Sequence, residues 1–310
     1  MTEHVVDIQG LVKTFGRVRA LDGLDMTLEP GEVRGFLGPN GAGKSTTIRI
    51  LLGMVRASGG SVRLFGADPW RRAVDLHRRL TYVPGDVALW PGLTGGQCLD
   101  VLGASGAPVD ASRRDELVER FDLDPTKRVR DYSKGNRQKV ALVAAFAARA
   151  DLLVLDEPTS GLDPLMEEVF RQCVAERARS GATVLLSSHI LSEVESLCST
   201  VTIVRHGRTV RAGTVSQMRA LARTTVHAVT AAGAPDLDRF DLHGLTVSPL
   251  HETDTDDPSH ADRREITFTV DPAELDAVLA PLVAGGLSSL TVRPPSLDEL
   301  FLSEYDGATA

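Results

Sequence analysis

Hydrophobic positions along this chain fall into two alternating rhythms. Unbroken apolar runs at 152–155 (Leu-Leu-Val-Leu) and 183–187 (Thr-Val-Leu-Leu-Ser), with a shorter one at 81–83, read as strands covered on both faces. Longer stretches of mixed apolar and charged positions, at 71–80, 165–179 and 190–198, read as helices. Residues 32–37 form a short strand before a glycine-rich turn, and residues 47–52 a helix after it. Residues 5–8 begin a strand, 23–28 continue the same small sheet, and 62–65 add a strand closed by Gly66. Residues 201–204 and 208–210 pair around His206-Gly207. From Gly96 to about Arg137 the pattern is helical, with breaks at Gly103, Gly106-Ala107-Pro108 and Asp124-Pro125. Strands alternating with helices imply an α/β fold with a mostly parallel core sheet. A small antiparallel β part and an inserted helical block complete it.

A second rhythm sets in near residue 221. Strands at 226–229, 265–270 and 290–292, with helices at 272–283 and 296–302, describe a small α+β domain. Between them, residues 252–262 are rich in Asp, Thr, Ser, His and Pro and read as a loop. His251 and His260 lack a metal-ligand spacing.

Bulk composition narrows the function. With 310 residues, 42% hydrophobic and 25% charged, the chain has room for one large domain or two modest ones. A formal net charge of -8 argues against a nucleic-acid partner, and pairs such as Arg71-Arg72, Arg78-Arg79 and Arg113-Arg114 read as solvated helix faces. The cysteines Cys98, Cys173 and Cys198 form no C-x-x-C pair and read as buried thiols of a reducing cytoplasm. Met1-Thr2-Glu3-His4 opens no signal peptide. The longest apolar stretch, 140–148, falls far short of the roughly 20 residues that span a bilayer, so a membrane role needs a partner.

The chemistry begins at Gly38-Pro39-Asn40-Gly41-Ala42-Gly43-Lys44-Ser45-Thr46, which fits the phosphate-loop pattern G-x-x-x-x-G-K-[ST] between a strand and a helix. Small residues let backbone N–H groups surround a polyphosphate, Lys44 adds a point charge for the β- and γ-phosphates, and Ser45 offers a hydroxyl to Mg²⁺. The following helix points its positive end at the same phosphates. The run 152–155 delivers Asp156 and Glu157 at its C-terminal end, where open α/β sheets bind ligands. Asp156 is placed to hold Mg²⁺ through water, and Glu157 to polarise an attacking water as general base.

Tyr132-Ser133-Lys134-Gly135-Asn136-Arg137-Gln138, just ahead of a helix, resembles the signature of the ATP-binding cassette (ABC) family, usually Leu-Ser-Gly-Gly-Gln. Ser133 and Gly135 match, whereas Tyr132, Lys134 and Asn136 depart from it. The form Tyr-Ser-Lys-Gly is similar to the variant of ABC-2-type exporter ATPases. Ser133 and the Gly135 N–H at a helix start make a second γ-phosphate clamp. Ser160-Gly161-Leu162-Asp163 resembles the loop that crosses between two cassettes, and His189 the switch histidine that touches the γ-phosphate. Phe15 resembles the residue that stacks on adenine, with Val18 beside it, although a core role is open to Phe15 as well. The family normally carries Gln after the strand 81–83 and a Pro, but this chain has Pro84-Gly85-Asp86. Either Asp86 takes over a water-mediated Mg²⁺ contact, or it is a turn or capping residue. Val87-Ala88-Leu89-Trp90-Pro91 offers an apolar face to a permease helix, unless Trp90 is simply core.

The resemblance, over 5 to about 220, implies a P-loop NTPase ABC cassette (1–220, helical insertion about 85–150) followed by an accessory domain (221–310). It implies ATP and Mg²⁺ as cofactors, Lys44, Glu157 and His189 as the catalytic residues, and a head-to-tail second copy. It also implies an integral membrane permease, and a place at the cytoplasmic face of the cell membrane. The end of the chain, 294–301, looks like the tail of drug and antibiotic exporter ATPases, similar to those paired with polyketide-antibiotic or multidrug efflux permeases. An importer ATPase and a soluble non-transport ABC ATPase are the alternatives.

Overall fold

Five of the helices start where the sequence supplies a capping side chain. The computed structural model describes residues 4–221, 223–230, 237, 239–249 and 263–293. The expected helix at 296–302, the tail at 294–301, the loop 252–262, His251 and His260 lie outside the described residues. In chain order the first elements are β1 (Val6–Phe15), β2 (Val18–Leu28), β3 (Val33–Leu37), α1 (Lys44–Leu51), β4 (Gly59–Leu64), α2 (Pro69–His77) and β5 (Leu80–Val83). Then come α3 (Gly95–Ala104), α4 (Ala111–Arg120), α5 (Lys134–Ala147), β6 (Leu152–Asp156), α6 (Pro164–Arg179), β7 (Thr183–Ser188), α7 (Leu191–Leu197), β8 (Thr200–Arg205) and β9 (Arg208–Thr214). Asp68, Thr94, Asp110, Ser133 and Asp163 accept backbone N–H bonds at the starts of α2, α3, α4, α5 and α6. The helix expected at 71–80 begins earlier because Asp68 caps it and Pro69 takes its first position, and Leu80 belongs to β5.

Backbone contacts divide the chain into Met1–Val215 and Ser216–Ala310. In the first unit β5-β6-β7-β3-β8-β9 form one sheet, parallel throughout except for the hairpin strand β9. β2-β1-β4 form a second, antiparallel sheet. Apolar residues of the two sheets, among them Ile8, Leu11, Leu24, Phe36 and Leu185, close one core together with Ile48 of α1. The helices α3 to α5 stand between β5 and β6 in sequence. Phe146 joins them to α6: its ring stacks on Phe121 at 6.5 Å and tilts against Phe170 at 5.9 Å. Cys98, Cys173 and Cys198 are free and buried, and burial pushes the Cys173 thiol up to about 11.

The second unit holds α8 (Val215–Leu221, which straddles the division), β10 (Thr224–Thr230), β11 (His243–Pro249), β12 (Arg264–Val270), α9 (Leu275–Ala284) and β13 (Leu287–Arg293). Its strands pair antiparallel in the order β11-β12-β10-β13. Strict alternation along β10 and β12 puts Val226, Ala228, Ile266, Phe268 and Val270 on one face, where Val278 and Leu282 of α9 cover them. Neither α8 nor β11 was expected from the sequence. Among the described residues no helix is long and apolar enough to cross a membrane.

Candidate active site

The central strand β3 runs between β7 and β8 and ends at Leu37, so the phosphate loop starts in the middle of the sheet. Backbone packing leaves the loop little freedom. A Cβ on Gly38 would collide with the Val204 carbonyl oxygen, and one on Gly43 would meet Leu21 Cδ2 at 2.5 Å. Gly41 and Gly43 adopt φ of 81° and 110°, the left-handed region that glycine reaches without strain. From behind, the β8–β9 turn donates Gly207 N–H to the Ala42 carbonyl at 2.9 Å and accepts from Asp22 N–H at 2.8 Å. Lys44 is buried and turns back into the loop, its Nζ donating to Gly38 O at 2.5 Å and Pro39 O at 3.3 Å. Burial holds its ammonium below the usual range, opposed by the charges of Glu157 and Asp156. The resulting cavity, about 140 Å³, is lined by residues 39–41 and 43–46 with Ala20 and Glu157. Ala20 escaped the sequence reading; its only signal was its place near the start of β2.

Strand register brings the acidic residues and the histidine together. β6 and β7 are parallel neighbours with Asp156 opposite Ser187, so the residues that follow leave the sheet side by side. Glu157 N–H donates to Ser187 O at 2.8 Å, and His189 Nδ1 lies 3.2 Å from Glu157 Oε1. Glu157 holds φ at 49°, a conformation that costs a non-glycine residue of order 1–3 kcal/mol, and it lines the loop cavity. Asp156 is buried, and its Oδ1 has no hydrogen-bond partner among the described residues. An orphaned buried carboxylate oxygen fits a cation or its water, and with the exposed Ser45 hydroxyl it supplies the hard oxygens that Mg²⁺ takes beside substrate phosphates. The charge of Asp156 adds to burial in pushing the Tyr82 phenol up to about 12.

The signature residues stand apart from that cavity. Ser133 caps α5, accepting Asn136 N–H at 3.2 Å, and is exposed. Tyr132 is buried, and its hydroxyl donates to Asp124 O at 2.5 Å. Gly135 lies against the loop between Glu157 and α6, where a Cβ would collide with Gly161 O. Lys134 Nζ reaches Ser160 Oγ at 2.6 Å, and the buried Gln138 donates to Pro158 O at 2.9 Å, a contact the sequence did not single out. Asp163 spends one oxygen as the cap of α6, accepting Met166 N–H at 3.0 Å. Phe15 and Val18 are cross-strand partners at the β1–β2 turn, 50% and 66% exposed, so Phe15 is no core residue; Lys13 Nζ sits 4.7 Å from its ring centre. Gly85 lies where the family carries Gln, with Asp156 O 3.2 Å from where its Cβ would be. Asp86 is exposed and outside the loop cavity's lining, and Trp90 is 48% exposed.

The family model for ABC transporters matches residues 21–160. Over 311 residues the chain is 34% identical to the daunorubicin resistance ATP-binding protein DrrA3 of Streptomyces coeruleorubidus, spanning 97% of this chain and 96% of that one. The chain belongs to the ABC transporter family. A second relative, the daunorubicin/doxorubicin resistance ATP-binding protein DrrA of Streptomyces peucetius, is 33% identical over 97% of this chain and 92% of its own. Among solved structures, the ATP-binding subunit of an ABC transporter superposes with a TM-score of 0.65 at 28% identity, over 69% of this chain and 92% of that one. The fold is therefore the α/β ABC cassette, and the protein is an ATPase, the ATP-binding subunit of an ABC transporter.

Proposed function

We propose that this chain sits at the cytoplasmic face of the cell membrane and powers a drug or antibiotic exporter whose membrane-spanning part is a separate permease. Its two full-length relatives named above are resistance proteins, which favours export over import and over a soluble role. The observation that carries the catalytic reading is the Glu157–His189 pair, 3.2 Å apart, with Glu157 facing the phosphate loop. Glu157 takes the proton of the attacking water, and His189 orients that carboxylate and the γ-phosphate. Lys44 exchanges its two carbonyl partners for phosphate oxygens, and the N–H groups of residues 39–46 hold the rest. Ser45 and Asp156 would hold Mg²⁺, which when bound would supply positive charge to the phosphates. Phe15, with Val18 beside it, stacks on adenine.

Ser133 and Gly135 lie outside the lining of their own chain's cavity, which supports completion of each site by a second, head-to-tail copy. As a cap, Ser133 Oγ accepts a bond and keeps its proton for an incoming phosphate oxygen. Asp163 holds the start of α6 beside the crossing loop. The permease docks in an apolar cavity of about 390 Å³ lined by Leu52, Met54, Tyr82, Val87, Leu89 and Ala145, with Trp90 exposed beside it in sequence. The variant Glu157→Gln should trap an ATP-bound dimer; a monomer under saturating ATP in light scattering overturns the paired-site reading. The variant Trp90→Glu should lower co-purification of the permease by about ten-fold, and unchanged recovery overturns the docking assignment.

A further inference from the structure

The turn that carries His189 is closed by side chains. Ser188 Oγ accepts Ile190 N–H at 3.0 Å and donates to Glu193 Oε2 at 2.6 Å. This chain of bonds brackets His189 on both sides in sequence. The Ser188 hydroxyl has a second acceptor within reach, Ile190 O at 3.5 Å, so the Glu193 carboxyl decides where its proton points. Glu193 is 9% exposed, and its Oε1 has no hydrogen-bond partner among the described residues. Burial pushes its carboxyl up, while the Ser188 hydroxyl bond, the nearby Thr159 hydroxyl, which stands outside hydrogen-bonding geometry, and the charge of His189 pull the other way and Glu167 adds to the rise. Burying a carboxyl with one oxygen unpartnered costs free energy that an apolar side chain in the same place avoids. The group therefore has a task beyond filling space. Thr159 and Glu193 also line one cavity of about 130 Å³, so the carboxyl stands between the His189 turn and the loop that follows Glu157.

We propose that Glu193 is a positioning residue for hydrolysis: it fixes the Ser188 hydroxyl, and Ser188 fixes the turn that presents His189 to Glu157. The inference rests on the role given above to His189. It implies that Gln serves nearly as well as Glu, because a glutamine oxygen accepts the Ser188 proton and its amide occupies the unpartnered side. Ala provides no acceptor.

The test compares Glu193→Ala, Glu193→Gln and Ser188→Ala in the full chain, each alone and with His189→Ala. kcat, KM, the melting temperature and the ¹⁵N resonances of the His189 ring are followed. Glu193→Ala is expected to lower kcat about ten-fold, the upper end of what one ordinary hydrogen bond contributes, with KM within about two-fold. Glu193→Gln should return kcat to within about two-fold of the parent, and Ser188→Ala should reproduce the alanine loss. The His189 ring resonances should move in Glu193→Ala and Ser188→Ala and stay in Glu193→Gln. If Glu193→Ala does not fold, Glu193→Gln and Ser188→Ala carry the same comparison. Parent kcat in Glu193→Ala or Ser188→Ala overturns the proposal. So does a glutamine variant as slow as the expected alanine loss, or unmoved ring resonances. Full additivity of Glu193→Ala with His189→Ala overturns it as well. An unchanged kcat in His189→Ala alone counts instead against the role of His189, which keeps the two failures apart.

Discussion

The phosphate loop and the signature turn are both helix starts carrying a glycine and an exposed serine, yet they are held in different ways. The loop is fixed chiefly by backbone: Gly38 against Val204 O, Gly43 against Ala20 O, and the Gly207 N–H bonded to Ala42 O. The turn is fixed chiefly by side chains: Tyr132 to Asp124 O, Lys134 to Ser160, Gln138 to Pro158 O. Backbone packing onto a central strand makes a site that is finished before its ligand arrives. Side-chain tethers instead tie α5 to the loop after Glu157.

Substitutions can break this contrast. The largest effect is expected from Lys44→Ala, with ATP hydrolysis falling by at least about 10²-fold as the phosphate's fixed counter-charge is lost; calorimetry should show weaker ATP binding by the isolated chain. Next, Gly135→Ala drives a Cβ into Gly161 O and should cost about 1–3 kcal/mol, read as a lower Tm, with ATP-driven dimerisation lost while one chain still binds ATP. Equal loss of single-chain ATP binding in both variants would erase the distinction between the two helix starts. The smallest effect belongs to Asp86→Ala: an exposed side chain outside the cavity lining should leave Mg²⁺-dependent hydrolysis within about two-fold. A ten-fold loss would instead give Asp86 the Mg²⁺ contact that Gly85 lacks a side chain to make.

Local chemistry was legible in the sequence, and lateral chemistry was not. The phosphate loop and the run ending in Asp156 are each written in consecutive residues, because a strand, a tight turn and a helix start need particular neighbours along the chain. The Glu157–His189 contact joins residues from two different strands and depends on Asp156 pairing with Ser187, a matter of register that no local pattern states. Gln138 closes the signature-like run and Glu193 is one polar helix position among several; neither sequence context names the partner that each has on another segment. β11 escaped notice because it is an edge strand whose Leu245 and Val247 stay exposed, leaving no buried stripe to read. Gly85 was noticed as a departure from the family, but only packing shows how closely Asp156 O approaches it.

Lys44, folded onto Gly38 O and Pro39 O, has a thermodynamic consequence. Its ammonium is already solvated by protein, so taking up a nucleotide is a trade of oxygens and not the capture of a bare charge. What a titration reads is the margin by which phosphate outbids two carbonyls. On the role proposed for Lys44, that margin should shrink for a nucleotide lacking the γ-phosphate, whose departure would return the lysine to its resting partners.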